Sequence, residues 1–527
     1  MYNFSDLPTP VQRATQLLHQ ANEPAWLVGG ATRDLLMGRA VKDFDFVIAG
    51  NGLKWARTLA NTLKGAFVAL DRERRIGRVV VRHKGKLLWL DVASFRDENL
   101  LFQDWEGGGR GEGLTLEEDL RLRDFTVNAI ALNLLTGEIV DPTGGVADLK
   151  SKTLRATGAH TFDNDPLRIL RAVRQHATHG LTITPDTTHA MKRAVHGLTK
   201  VAAERVREEW MKLLAPAGAQ ARVEMLDELG VIALLLPELA AGKGVTQSPP
   251  HSHDVFGHQL LVLDATEKLW PWVGRTSIPA DCATQDAQGE PQGCAPTLPL
   301  FWSGKLAEFA EPMSKHLQQE IAHDLPRWLL FKHVALLHDI GKPATRSVGE
   351  DGRIHFYKHE KVGSDMMGEL MQRMKFSTKC VQYAEQLVRQ HMRPLSLSWR
   401  LPPRNRTIYR FFRDTGDEGA DIALHSIADQ RGKAFPSDRP EVVAAVTHLL
   451  KAYFTQPERF VRPKPLLNGH EVMKIAGVKG PAVGKILEML REEQAQGKIQ
   501  TKEEAQKMVR EWEEHGFAER KEKKSSP

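Results

Sequence analysis

Short β-rich runs crowd the first 155 residues of this chain and largely stop after Asp165. Such runs occur at Trp26–Val28, Phe44–Ile48, Ala66–Leu70, Arg78–Arg82, Leu87–Ala93 and Ala129–Leu135, separated by helical patterns such as Leu53–Leu63. Strand periods interleaved with helical periods predict an α/β head. Beyond Asp165 amphipathic helices take over, for instance Leu167–His176 and Ala202–Leu214. The expected class is multidomain α+β: an α/β head followed by a mainly helical neck, body, third domain and tail.

A chain of 527 residues exceeds one ordinary core. The predicted boundaries are a head over 1–155, a neck and body over 156–240, a histidine-rich domain over 241–440 and a helical tail over 441–527. An insertion is expected near 274–325, because Gly274–Leu298 gathers Gly, Pro, Ser, Thr and Gln. Prolines at 436, 440, 463 and 465 bracket the shift to the tail, whose charged end from Glu519 reads as solvated.

Hydrophobic residues at 41% and charged residues at 26% argue for folded domains over disorder. No stretch approaches the roughly 18 apolar residues of a membrane span, and the start lacks a basic region followed by an apolar one, so neither export nor anchoring is expected. Cys282, Cys294 and Cys380 are too few for a disulfide framework, which suits a cytoplasmic site of action. A net charge of +6 fits an RNA partner without demanding one.

Gly29 and Gly30 lie between an apolar strand and a helical pattern, where backbone N–H groups can meet phosphate, although a plain turn reads the same. In Lys42-Asp-Phe-Asp-Phe-Val-Ile48, Asp43 and Asp45 project from one strand face while Phe44, Phe46 and Ile48 project from the other. Two like charges on one face suit divalent cations such as the Mg²⁺ pair of in-line phosphoryl displacement. An exposed strand with solvated acids is the competing reading. Asp165 and Arg168, three apart, are expected to share a helix face and to offer acceptor and donor groups to a nucleobase; a surface ion pair is the plainer reading. His338 and Asp339 close an apolar helix, a costly placement unless they bind metal or are well hydrogen-bonded.

The order of Gly29-Gly30, Arg33-Asp34 and Asp43-x-Asp45 resembles the active-site motif of the class II CCA-adding enzyme and bacterial poly(A) polymerase family. Further runs are similar to the family's motifs in the family's order. Leu90–Arg96 resembles the strand supplying a third acid, here Asp91. Asp119–Ala129 resembles R-R-D-F-T-x-N-A, with Leu122 where an arginine usually stands, and so marks Arg123, Asp124 and Asn128. Asp141–Leu149 resembles the motif that closes the head onto the neck, and Ala203–Trp210 the helix from neck to body. Asn164–Arg174 is similar to E-D-x-x-R, with Asn164 in place of glutamate, and carries Asp165, Arg168, Arg171 and Arg174.

The resemblance implies that Asp43 and Asp45 hold Mg²⁺, with Asp91 near the metals. Gly29, Gly30 and Arg33 would hold the triphosphate of CTP or ATP, and Asp165 with Arg168 would choose the base. Arg123, Asp124, Asn128, Arg171 and Arg174 would complete the nucleotide site. The expected partner is the 3′ end of tRNA, extended without a template. Addition of CC alone, of A alone or of a poly(A) tail remains open, since the segment between Arg96 and Glu117, where family members differ, carries an unusual glycine-rich run at 106–113.

The series His258, His338-Asp339, His359, His391 and Asp429 is similar to the pattern of the HD phosphohydrolase superfamily. That resemblance implies one metal on His258, His338, Asp339 and Asp429, and a second that adds His359 and His391. Mn²⁺, Ni²⁺, Fe²⁺, Co²⁺ and Mg²⁺ all suit such mixed ligands. Phosphatase or 2′,3′-cyclic phosphodiesterase activity is the implied chemistry, and an inactive scaffold is the alternative. In another class, the HD domain would be the chief activity and the head only an RNA-binding module, or the whole chain a structural RNA binder. Gly477-Val-Lys-Gly480-Pro resembles the glycine-rich hairpin of family tails, where Lys479 and Lys485 would meet tRNA phosphate; a plain helix–helix turn fits equally.

Overall fold

The computed structural model describes residues 4–41, 43–95, 115–269, 306–323, 325–433 and 438–514. The glycine-rich run at 106–113, the loop at 274–298 and the charged end at 519–527 lie outside these residues. The chain divides into two compact units, Met1–Leu213 with Glu224–Leu235, and Leu214–Val223 with Leu236–Pro527.

The first unit is built on a seven-stranded sheet of order β3-β4-β5-β2-β1-β6-β7. The strands are β1 (Ala25–Leu27), β2 (Asp43–Ile48), β3 (Ala66–Asp71), β4 (Ile76–His83), β5 (Lys86–Ser94), β6 (Ala131–Leu132) and β7 (Ile139–Val140). Only β2 and β5 pair in parallel; every other pair is antiparallel. Helices α1 (Thr9–Gln20), α2 (Gly29–Leu36) and α3 (Gly52–Thr62) accompany it. Alternation along the strands sends Phe44, Phe46, Ile48, Val79, Leu90 and Val92 into a core with Val11, Leu18 and Leu59 from α1 and α3. Helix α3 lies so close to β4 that a Cβ on Gly77 would sit 2.5 Å from the Ala56 Cβ.

The strand predicted over Ala129–Leu135 shrinks to two residues, because Ala129 caps a buried 3-10 turn at Thr126–Asn128 and Asn133 already starts a turn, accepting from the Leu135 N–H through its side chain. Helix α4 (Leu116–Arg121) starts on a capping box between Thr115 and Glu118. Helices α5 (Gly145–Lys150), α6 (Thr161–Asn164) and α7 (Arg168–His179) follow. A parallel pair, Thr153–Leu154 with Thr182–Ile183, interrupts the expected run of helices and is too short for any period to reveal.

The second unit is mainly helical. One hairpin pairs Glu320–Ala322 with Leu325–Pro326, and a second, Arg346–Val348 with Ile354–Phe356, breaks a stretch expected to be helical. Within the segment expected as an insertion near 274–325, Ala307–Leu317 is a helix that buries Phe309, Met313 and Leu317. Its apolar positions make it part of the fold. Helices Gly469–Ala476, Pro481–Gln496 and Lys502–Glu514 share a core of Val472, Ile486, Leu490, Val509 and Trp512. Gly477 caps the first of them at φ +64, a left-handed conformation that favours glycine. Among the described residues no helix is long and apolar enough to cross a membrane.

Candidate active site and metal centre

In the first unit, β1 runs into α2 through Val28 and Gly29, whose φ of +69 favours glycine. A Cβ there would stand 3.5 Å from both Asp45 Oδ2 and the Arg123 guanidinium. Glycine thus leaves the start of α2 open beside the carboxylates. The parallel register of β2 and β5 sets Asp43 opposite Trp89 and Asp45 opposite Asp91. Arg78 on β4 grips Asp91 with two bonds of 2.7 and 2.8 Å. Burial, then Asp91 and Asp43, push the Asp45 carboxyl up to about 6, with Arg123 and Arg78 opposing. A carboxylate that resists ionisation in this way is short of positive charge, and a divalent cation on Asp43 and Asp45 fits that deficit.

A cleft of about 1160 Å³ opens on these groups. Its lining includes Gly29, Gly30, Asp45 and Asp91, together with Arg123, Asp124, Asn128, Asp165, Arg168 and Arg171. Arg33, Asp43 and Arg174 are not among the lining residues. Arg33 is buried and donates to Asn128 Oδ1 at 2.9 Å and Gln175 Oε1 at 3.0 Å, so it braces the wall from behind. Arg174 is engaged by Glu209. Burial alone would raise the Asp124 carboxyl, but Arg171 at 2.7 Å and Asn128 at 2.9 Å win and hold it well below the usual carboxylate range. Arg123 is tied to buried Asp119 at 2.8 Å.

Asp165 and Arg168 do not share a helix face. Asp165 precedes Pro166, and a residue before proline is driven out of the helical region; its φ and ψ of −148° and 95° are extended. Helix α7 begins only at Arg168. The two side chains are held separately: Asp165 accepts from Arg205 at 2.9 Å, and Arg168 donates to the Leu122 carbonyl at 2.9 Å. Both still line the cleft, joined there by Arg205 and Lys200, which sequence reasoning did not single out.

The second unit gathers the predicted histidines and aspartates. His258 lies on helix Val255–Leu269, His338 and Asp339 follow Arg327–Leu337, His359 opens His359–Arg373, His391 follows Thr378–Gln390, and Asp429 lies on Gly419–Arg431. All six are buried. Their candidate ligand atoms form two groups, His258, His338, Asp339 and Asp429, and Asp339, His359 and His391, each within 4.8 Å. His258 Nε2 is 3.1 Å from Asp429 Oδ1, and His359 Nε2 is 3.4 Å from Asp339 Oδ1.

The orientation of the rings has a local cause. Nδ1 of His338, His359 and His391 faces the carbonyl three residues earlier, at Ala335, Phe356 and Val388, and Nδ1 of His258 faces that of Gly432. A ring nitrogen facing a carbonyl must carry the proton, which leaves Nε2 as the lone-pair donor turned to the centre. His338 Nε2 and both Asp339 oxygens are buried without a hydrogen-bond partner among the described residues. Orphaned imidazole and carboxylate donors converging on one point fit a divalent transition metal.

Lys342 Nζ lies 2.6 Å from Asp339 Oδ2, close but without hydrogen-bond geometry, and Lys433 Nζ lies 2.6 Å from Asp429 Oδ2. His425 is also fully buried, its ring centroid 4.7 Å from that of His338. Sequence reasoning passed over all three. Their signal was spacing, since Lys342 follows Asp339 by three residues while His425 and Lys433 flank Asp429 by four.

Comparison with known proteins matches residues 25–155 to the Poly A polymerase head domain, 180–243 to the "Probable RNA and SrmB- binding site of polymerase A" and 308–423 to the HD domain. The chain is 32% identical over 502 residues to the A-adding tRNA nucleotidyltransferase of Deinococcus radiodurans, covering 93% of this chain and 95% of that protein. It is 30% identical over 496 residues to the CC-adding tRNA nucleotidyltransferase of Thermus thermophilus, covering 93% of each. The Thermotoga maritima CCA-adding enzyme complexed with tRNA shares the fold, with a TM-score of 0.54 at 20% identity over 95% of each chain.

Proposed function

This chain belongs to the family of tRNA nucleotidyltransferases, and from that premise we propose that it builds or repairs the CCA end of tRNA from CTP and ATP without a template. The observation that carries the reading is the pair Asp43 and Asp45 on β2, beside a cleft with Arg123, Asp124, Asn128, Asp165 and Arg168 in its lining. Relatives named for A addition and for CC addition match at nearly equal identity. Similarity therefore does not choose between them, and complete CCA addition is the reading adopted.

In this reading the RNA 3′-hydroxyl attacks the α-phosphate of the bound nucleotide, a P–O bond forms, the bond to the β-phosphate bridge breaks and pyrophosphate leaves. Asp43 and Asp45 would hold Mg²⁺, which when bound supplies charge neutralisation at the attacking and leaving oxygens. The N–H groups of Gly29 and Gly30 at the start of α2 would receive the triphosphate. Arg33 keeps that turn in place through Asn128 and Gln175. Asp165 and Arg168 would present acceptor and donor to the base once Asp165 leaves Arg205.

A second activity is proposed for the HD centre. His258, His338, Asp339, His359, His391 and Asp429 would hold one or two divalent metals, which when bound supply an activated water for phosphoester hydrolysis. Lys342 and Lys433 would meet the anionic phosphate. Blocked or cyclic phosphate ends of RNA are the proposed substrates, and the cytoplasm, where tRNA is matured, the proposed place of action.

The test offers labelled CTP, ATP or both to tRNA transcripts ending before CCA, after C and after CC. Extension that stops after CCA is expected. Stopping after CC, adding only the final A, or a long A tail would each replace the reading with the corresponding specialised enzyme.

A further inference from the structure

The sheet face that carries the carboxylates also carries large apolar side chains. Register places Val68 opposite Arg78, Arg78 opposite Asp91, Val80 opposite Trp89, and Trp89 opposite Asp43. Residues directly opposite each other on paired strands project to the same side. The alternate residues Val79, Val81, Leu88, Leu90 and Val92 fill the core on the other side. Val68, Leu87 and Trp89 are 45%, 59% and 38% exposed, and Leu70 is 44% exposed. Isolated exposed apolar residues are ordinary, but several on one open sheet face mark an interaction surface.

The surroundings of this patch say what would cover it. The Arg78 guanidinium lies 5.2 Å from the centroid of the Trp89 ring. Arg72 and Arg74 are exposed at the turn between β3 and β4, with Glu73 between them; Lys84 is exposed at the turn between β4 and β5, and Lys86 at the start of β5; Arg82, opposite Leu87, is exposed as well. Leu70 and Arg74 also line the cleft that holds Asp45 and Asp91. The patch is thus continuous with the reaction site. Arg74 and Arg78 have Asp71 and Asp91 beside them, but a wholly apolar partner would leave Arg72, Arg82, Lys84 and Lys86 unmatched among the described residues. Single-stranded RNA matches both parts, because bases stack on aromatic and apolar groups while phosphates meet Arg and Lys.

Resting on the transferase reading, we propose that this face of β3, β4 and β5 is the docking platform for the unpaired 3′-terminal nucleotides of the RNA substrate. Trp89 stacks one base at the strand position next to Asp43, and Arg82 with the turn cations receives the phosphates. The platform delivers the 3′-hydroxyl to Asp43 and Asp45 and acts on the RNA, not on the incoming nucleotide.

The test measures, on the full chain, the KM for a tRNA transcript ending in CC, the KM for ATP, and binding of the same transcript by fluorescence anisotropy. Trp89→Ala is expected to raise the RNA KM and Kd by about fivefold to a hundredfold. The ATP KM and the Tm should stay within error of the wild type. Trp89→Phe should restore most of the loss, and Arg82→Glu should weaken RNA binding and flatten its salt dependence.

An active Trp89→Ala enzyme with an unchanged RNA KM would overturn the platform while leaving the transferase reading intact. A fall in Tm without a change in RNA KM would overturn it in favour of cover by the chain's own residues 96–114. Self-association of the wild type, lost in Trp89→Ala with an unchanged RNA KM, would overturn it in favour of a second copy. A wild type that incorporates no nucleotide would remove the transferase reading and the platform with it.

Discussion

Asp45 and Asp91 face each other across the parallel strands β2 and β5, and Arg78 grips only Asp91. The pair is therefore unequal. Asp91 has its countercharge within the sheet, whereas Asp45, against the opposing charges of Arg123 and Arg78, is pushed up to about 6 by burial and by its acidic neighbours.

The first prediction concerns pH. Asp45 has a folded pKa above the ordinary carboxylate value, so its protonation favours the fold below about pH 4, and that contribution is lost as pH rises through 6. At pH 7.5 the metal-free protein carries the cost of the ionised form. Asp45→Asn is expected to stabilise the metal-free protein at pH 7.5 by roughly 1–3 kcal/mol while abolishing incorporation. Denaturant melts at pH 7.5 and pH 5 check this; a gain that is equal at both, or absent at pH 7.5, contradicts it.

Asp124 gives the opposite case. It is buried, and Arg171 with Asn128 keeps it ionised. Arg171→Ala leaves that charge uncompensated and is expected to cost about 2–4 kcal/mol, whereas Arg171→Ala with Asp124→Asn should cost less than the single change. A double-mutant cycle by urea denaturation measures the difference, and strict additivity would rule out the coupling.

Metal content tests the HD centre. Protein purified without chelator should carry at least about one equivalent of transition metal by elemental analysis. A His338→Ala, Asp339→Ala variant should carry almost none. Chelation should lower the Tm of the wild type and leave that of the variant unchanged. Wild type and variant with equal metal would disprove the ligand set.

The two centres should also separate functionally. The His338→Ala, Asp339→Ala variant is expected to retain CCA addition within about threefold and to lose hydrolysis of a 2′,3′-cyclic phosphate. Loss of addition in a variant that keeps its circular dichroism spectrum would contradict independent centres.

Much of this was legible in the residues. The alternation of Asp43, Phe44, Asp45 and Phe46 encodes both the buried and the carboxylate-bearing face of β2, and the strand forms as that pattern requires. The histidine series, marked by residue type and order, is likewise brought together by the fold. Legibility ended where a single neighbour or a distant contact decides the outcome. Pro166 takes Asp165 off the helix that its spacing to Arg168 suggested. Arg33 matches a phosphate-binding position by sequence, yet its partners Asn128 and Gln175 come from far along the chain, and no local pattern reports them. Strands of two residues such as Thr153–Leu154 hold too few positions to show a period. Lys342 and Lys433 resemble ordinary helix-end cations until Asp339 and Asp429 are seen buried beside them.

The most direct test of the account is incorporation of labelled ATP into a tRNA transcript ending in CC, comparing the wild type with an Asp43→Ala, Asp45→Ala variant of unchanged fold. The wild type should add one A in the presence of Mg²⁺, and the variant should be slower by at least about a thousandfold. A wild type that adds nothing, or a variant that adds A at the wild-type rate, would contradict nucleotidyl transfer at these two carboxylates.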